Sequence, residues 1–121
     1  MNKKIIITTV IIAVIILAGV GYWKLSGMFV STVGKYDNFA KCLTEKGVEF
    51  YGASWCPHCQ NQKKMFGDSF KYVNSIECTE KQQLCTDKGI TGFPTWIIDG
   101  KLNPGEKTME QLSALTGCKV N

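Results

Sequence analysis

Apolar and polar positions divide the chain into three stretches. From Ile5 to Trp23 no residue is charged, and as a helix this run would be about 28 Å long, close to the hydrocarbon thickness of a bilayer. Tyr22 and Trp23 close it, as an interfacial aromatic pair does. The next stretch, Lys24 to Gly34, is interrupted by Ser26, Gly27, Ser31, Thr32 and Gly34, which predicts a tether. Its apolar Met28, Phe29 and Val30 suit the membrane surface, the surface of a domain or an added edge strand, and the residues do not choose among them.

From Tyr36 onward short periodic segments alternate. Phe39, Cys42 and Leu43 recur at helical spacing behind Asp37, a candidate N-cap, and Gly47 stops that helix. Val48 to Ala53 reads as a short buried strand. Helical composition follows from Gln60 to Phe66 and ends at Gly67, with Met65 and Phe66 directed to the core and Gln60, Asn61 and Gln62 on a polar surface. Tyr72 to Glu77 alternates as a second strand, and Thr79-x-x-Gln82 is a capping-box signature for a third helix ended by Gly89. A strand then begins at Pro94 and runs to Ile98, with Trp96 in the core. Asp99-Gly100 predicts a two-residue hairpin with Lys101 to Asn103 as its return. After a turn at Pro104-Gly105, Thr108-x-x-Gln111 caps a last helix with Met109, Leu112 and Leu115 inward. Crossover helices imply parallel pairing and the hairpin adds an antiparallel partner, so the fold class is α/β with a mixed sheet flanked by helices.

Composition sharpens this picture. The 121 residues suffice for one small domain, and the net charge of +4 comes from scattered lysines without a dense basic block, which sets nucleic-acid binding aside. Six cysteines are many for this length, and an even count suits an oxidising compartment. The end of the apolar run, Leu17-Ala18-Gly19-Val20-Gly21, offers no clean small-x-small cleavage site, which favours a retained anchor over a cleaved signal. Lys3 and Lys4 before the run barely outweigh Lys24 and Lys35 after it, so the cysteines decide orientation. The expected layout is a cytoplasmic N-terminus at 1–4, a single-pass cell-membrane anchor at 5–23, a linker at 24–35 and an extracytoplasmic domain at 36–121.

The candidate chemistry lies at Trp55-Cys56-Pro57-His58-Cys59, between the first strand and the helix that follows. A Cys-x-x-Cys pair at such a junction puts one sulfur at a helix start, where unpaired N–H groups and the helix dipole favour an anion. Pro57 suits the first helical position, and His58, the one histidine in the chain, adds a donor or a charge between the sulfurs. Surroundings of this kind can lower a thiol from about 8.5 by several units, and stabilising the reduced form makes the matching disulfide a stronger oxidant. Cys56 is therefore the expected exposed nucleophile and Cys59 the resolving thiol, with Trp55 at the rim.

Trp-Cys-Pro-His-Cys after a strand, with Gly92-Phe93-Pro94-Thr95 some forty residues on, resembles the thioredoxin superfamily over residues 36–121. The Cys-Pro-His-Cys tetrapeptide is the one used by DsbA-type disulfide oxidases. Phe50-Tyr51-Gly52-Ala53, Gln60, Ile76-Glu77-Cys78 and Pro94-Thr95-Trp96 are similar to the thioredoxin-like domain associated with prokaryotic vitamin K epoxide reductase homologues. The resemblance implies a thioredoxin-like fold and a cis Pro94 packed beside Cys56 that excludes metal. It also implies a Phe93 backbone free to pair with an extended client segment by strand addition. It further implies protein thiol or disulfide substrates and a quinone-linked membrane redox partner such as a vitamin K epoxide reductase homologue, with no cofactor of the chain's own. One departure stands out: many relatives keep a buried acid six residues ahead of the first cysteine, where this chain has Phe50, with Glu49 on the opposite strand face.

The other four cysteines allow three pairings. The resemblance favours Cys78 with Cys85 as a second bridge; Cys42 with Cys118 is the other expected pair, since both fall on or beside inward helix faces. A helix starting at Thr79 would put Cys85 about 9 Å along its axis, too far for a bridge, so the two exclude each other and the early helix start is the one to give up. Rival readings are a zinc site from Cys56, Cys59, Cys78 and Cys85, disfavoured without a second Cys-x-x-Cys, a purely structural Cys56–Cys59 bridge, a reductase or isomerase fed by a membrane donor, and a redox-inert binding module.

Overall fold

The computed structural model of the chain describes residues 2–25 and 34–120. The readings for Met28, Phe29 and Val30, and for the side chains of Tyr22 and Trp23, lie outside the described residues. The described chain divides into two compact units, and each is described by itself.

The first unit is helix α1, Lys3–Leu25. It extends past the uncharged run at both ends, so Lys24 and Leu25, expected to open the linker, are helical. The Thr8 and Thr9 hydroxyls donate to carbonyls one turn back, Thr8 to Lys4 at 2.7 Å and Thr9 to Ile5 at 3.1 Å, which satisfies two polar groups inside an apolar helix. Lys3–Gly21 has a mean hydropathy of 2.5 and is long and apolar enough to cross a membrane.

The second unit is built on a four-stranded sheet in the order β2-β1-β3-β4, with β1 at Glu49–Gly52, β2 at Ser75–Glu77, β3 at Thr95–Ile98 and β4 at Lys101–Pro104. β1 pairs parallel with β2, Tyr51 opposite Ile76, and antiparallel with β3, Phe50 opposite Trp96. β3 and β4 form the hairpin. Its turn places Asp99 at φ 48° and Gly100 at φ 74°, the left-handed pair that matches the twist of the flanking strands. Helices α2 (Asp37–Glu45), α3 (Pro57–Phe66), α4 (Gln82–Asp87) and α5 (Met109–Thr116) complete the mixed α/β architecture of the thioredoxin-like fold.

Alternation along β1 and β3 divides the core in two. Phe50 and Trp96 join Phe39, Leu43, Cys59, Phe66 and Leu112 in one cluster, while Tyr51 and Ile97 join Ile76, Cys78 and Cys85 in the other. The Phe50 and Trp96 rings meet edge to face at 4.9 Å. Cys42 and Cys118 are bridged, Cα atoms 5.9 Å apart, tying α2 to the segment after α5.

Several elements depart from the pattern-based reading. Tyr36, not Asp37, is the N-cap of α2; buried Asp37 instead accepts the Gly34 N–H at 2.9 Å. Gly67–Tyr72 is a 3₁₀ segment, so the second strand opens only at Ser75. The third helix opens at Gln82 rather than Thr79. That later start leaves Cys78 in an extended segment and allows its bridge to Cys85, with Cα atoms 5.8 Å apart. Met65 and Leu115, expected inside, are exposed.

Candidate active site

The motif sits where β1 hands over to α3, and the hand-over is braced from three sides. The Cys56 N–H donates to Ala53 at 3.1 Å. Ser54 donates its N–H to Glu77 Oε1 at 2.9 Å and accepts from Gln60 Nε2 at 3.1 Å. Burial opposes the charge of Glu77. Hydrogen bonds from Thr79 and from Ser54, with Lys63 nearby, overcome that and hold its carboxyl below the usual range. The same bonds explain why Thr79 caps no helix: its hydroxyl and its N–H both point to Glu77.

Cys56 is the N-cap of α3, with Pro57 in the first turn, and its Sγ accepts the Cys59 N–H at 3.2 Å. That N–H is one of the donors a helix start leaves without an internal partner, so the sulfur occupies the place of a capping oxygen. The two thiols are unbonded in this structure. Contrary to the expected exposed nucleophile, Cys56 is only 3% exposed; it packs into the larger cluster, which Phe93 also borders. Cys59 is fully buried one turn on, and its environment differs sharply. Burial first, then the hydrogen bond and charge of Cys56, push the Cys59 thiol up to about 12, against smaller opposing effects of Ala53 and Lys63. Phe50 and Cys59 share the larger cluster. Gly52 lets both approach, since a Cβ there would stand 2.9 Å from the Phe50 ring and 3.3 Å from the Cys59 sulfur. Glu49 lies on the other face, where it accepts from Tyr51 Oη at 3.0 Å and lies 3.6 Å from Lys88 Nζ.

The Phe93–Pro94 peptide is cis. Pro94 is buried, and its carbonyl accepts the Gly105 N–H at 2.8 Å. The N–H and carbonyl of Phe93 make no hydrogen bond among the described residues. Trp55 is 67% exposed, with its ring 5.9 Å from that of Phe93 in an edge contact. His58, Asn61, Phe93, Pro94, Gly105 and Glu106 line an open groove of about 580 Å³ beside the motif. Among the described residues, no group of three or more His, Cys, Asp or Glu side chains is placed to hold a metal.

Two residues of this region escaped the pattern reading. Gln62, assigned to a polar surface, is fully buried. Its Oε1 accepts from the Trp96 indole at 3.2 Å and the Lys107 N–H at 2.7 Å, while its Nε2 donates to the Lys107 carbonyl at 2.9 Å. Glu106 meets His58 Nδ1 at 2.6 Å. Position 62 lies on the stripe Cys59–Gln62–Phe66 at helical spacing, a signal that could have placed it inward. For Glu106 no local signal exists, because its partner is 48 residues away.

A family profile described as Thioredoxin matches residues 30–116. The chain is 42% identical over 91 residues to thiol-disulfide oxidoreductase LTO1 of Arabidopsis thaliana, covering 68% of this chain and 24% of that protein. It is 36% identical over 80 residues to protein disulfide isomerase-like 2-1 of Oryza sativa subsp. japonica, covering 54% of this chain and 22% of that one. Among solved structures, Fasciola hepatica thioredoxin aligns with a TM-score of 0.41 at 21% identity, over 67% of this chain and 91% of that one. The chain thus spans about a quarter of the length of these curated relatives.

Proposed function

The chain belongs to the thioredoxin family, and from that premise we propose that it is a membrane-tethered, extracytoplasmic thiol–disulfide oxidoreductase that oxidises client proteins through Cys56 and Cys59. The observation that carries this reading is the inequality of the two sulfurs. Cys56 Sγ caps the helix start and takes the Cys59 N–H, whereas the Cys59 thiol, one turn on, is pushed up to about 12 by burial and by Cys56. In the oxidised pair a client thiolate attacks Cys56 Sγ. The Cys56–Cys59 bond breaks, its electron pair leaves on Cys59, and Cys59 takes up a proton. A second client thiolate then attacks the client sulfur of the mixed disulfide and releases Cys56 as thiolate. Two electrons pass from the client dithiol to the pair, and the client gains one disulfide.

Client recognition rests on Phe93, whose peptide groups beside Pro94, unpaired among the described residues, suit an extended segment, with exposed Trp55 as an apolar contact. Cys42–Cys118 and Cys78–Cys85 serve as structural bridges. Helix α1 supplies the anchor, of a length and hydropathy that fit one crossing. Turnover requires re-oxidation, and a quinone-linked membrane oxidase, such as a vitamin K epoxide reductase homologue, supplies it.

The direction is tested by the reduction potential together with the rate at which the oxidised chain oxidises a reduced client protein. A potential well above that of thioredoxin, about −270 mV, with fast client oxidation is expected; a potential near that value would contradict it. The disulfide isomerases among the relatives favour a second reading, a reductase or isomerase. In that case thiol trapping in cells would find the pair mostly reduced.

A further inference from the structure

The chemistry above leaves unused a polar pair at the edge of the groove. His58 Nδ1 meets Glu106 Oε1 at 2.6 Å. A carboxylate only accepts, so the contact assigns a proton to Nδ1. The other ring nitrogen, Nε2, has no partner among the described residues, and the side chain is 73% exposed. Glu106 is not at liberty to drift. Its neighbour Lys107 is held at both main-chain N–H and carbonyl by the buried Gln62 amide, and Thr108 beyond it caps α5. The Lys107 ammonium is turned onto the Pro104 and Gly105 carbonyls. The Phe93–Pro94 wall of the groove brings no charge, and α3 itself adds Cys56 and Cys59 and, further along, Lys63 and Lys64.

We propose that His58 Nε2 is the acceptor for the proton of an incoming client thiol, with Glu106, held through Lys107 by Gln62, as the positioning residue that keeps that nitrogen open. This rests on the oxidoreductase reading. The client S–H gives its proton to Nε2, and its sulfur lone pair forms the bond to Cys56 Sγ. The Cys56–Cys59 bond breaks with its electrons on Cys59, and the proton gained by Nε2 balances the one Cys59 then takes up. A client thiol titrates near about 8.5, so at neutrality most of it still carries a proton that must leave. An imidazole acceptor speeds exchange between its own range, about 6.5, and that value, and is superfluous above it.

The test compares wild type with Glu106→Gln, both full-length in detergent with the pair oxidised. It uses two reductants, a cysteine-containing peptide and a phosphine, which has no thiol proton to lose. With the peptide, Glu106→Gln should be roughly tenfold slower near about pH 7.5, and the gap should close above about pH 9.5. Phosphine rates should be equal for the two proteins, and Glu106→Asp should recover part of the loss. An equal loss at every pH, an equal loss with phosphine, or no loss overturns the proposal. Nitrogen NMR of the wild type needs no variant to fold. At about pH 8 His58 should carry its proton on Nδ1 and none on Nε2, and the reverse tautomer also overturns the assignment. If phosphine opens a Cys56–Cys59 bond while the peptide profiles of wild type and variant coincide, the His58 role falls and the oxidoreductase reading stands. If neither reductant ever releases thiols at Cys56 and Cys59, both fall.

Discussion

Two helix starts in this domain meet the same need with different atoms. At α5, Thr108 Oγ1 accepts the Gln111 N–H at 3.1 Å and the Gln111 side chain accepts the Thr108 N–H at 2.9 Å, a closed capping box. At α3, Cys56 Sγ accepts the Cys59 N–H at 3.2 Å, and no side chain answers back. A hydroxyl cap serves stability alone. A sulfur cap is a weaker acceptor, and here it sets one of the two motif thiols at the helix start. Gln62 lies between the two, reaching from α3 to the Lys107 main chain just before Thr108.

This contrast can be broken at either end. The largest effect is expected from Cys56→Ser, which keeps a capping oxygen and removes the sulfur. Thiol–disulfide exchange should vanish while the denaturation midpoint holds or rises, as a redox assay beside urea unfolding would show. Gln62→Leu attacks the link. It strands the buried Trp96 indole and the part-buried main-chain groups of Lys107, and at about 1–3 kcal/mol for a buried group left unsatisfied, a loss of roughly 2 kcal/mol or more is expected in urea unfolding. Thr108→Ala should cost about 1 kcal/mol and leave exchange rates unchanged; a change in rate would mean the two helix starts are not separable.

The smallest effect concerns the brace before Cys56. The Glu77 carboxyl is held below its ordinary range. Its contribution is therefore fully present above the unfolded value, about 4.3, and is lost as pH falls through the lower folded value. Glu77→Gln should flatten that part of the acid limb when urea midpoints are followed from about pH 6 to about pH 3.

Much of the architecture was legible because the signals that set it are local. The Asp99-Gly100 turn, the Thr108 capping box and the apolar run of α1 all stand where residues within a few positions dictate them. The two Thr-x-x-Gln strings show where local reading ends. Thr108-x-x-Gln111 opens a helix, but in Thr79-x-x-Gln82 the hydroxyl is taken by Glu77 and the preceding Cys78 is bridged to Cys85, so the helix waits for Gln82. In the site, the junction of strand, Cys56 and helix start could be read from the motif. Gln62 was hidden in a run of five polar residues, Gln60 to Lys64, and its partner Lys107 lies 45 positions on. Glu106 was hidden in a turn, and only the fold brings it to His58.

The central claim is that Cys56 and Cys59 divide the labour, the first bonding the client and the second releasing it. Trapping with Cys59→Ala in membranes tests it most directly. Mixed disulfides with client proteins should accumulate and should map by mass spectrometry to Cys56, while the matching Cys56→Ala chain should trap none. Adducts of equal amount on both variants, or none on Cys59→Ala, would contradict the account.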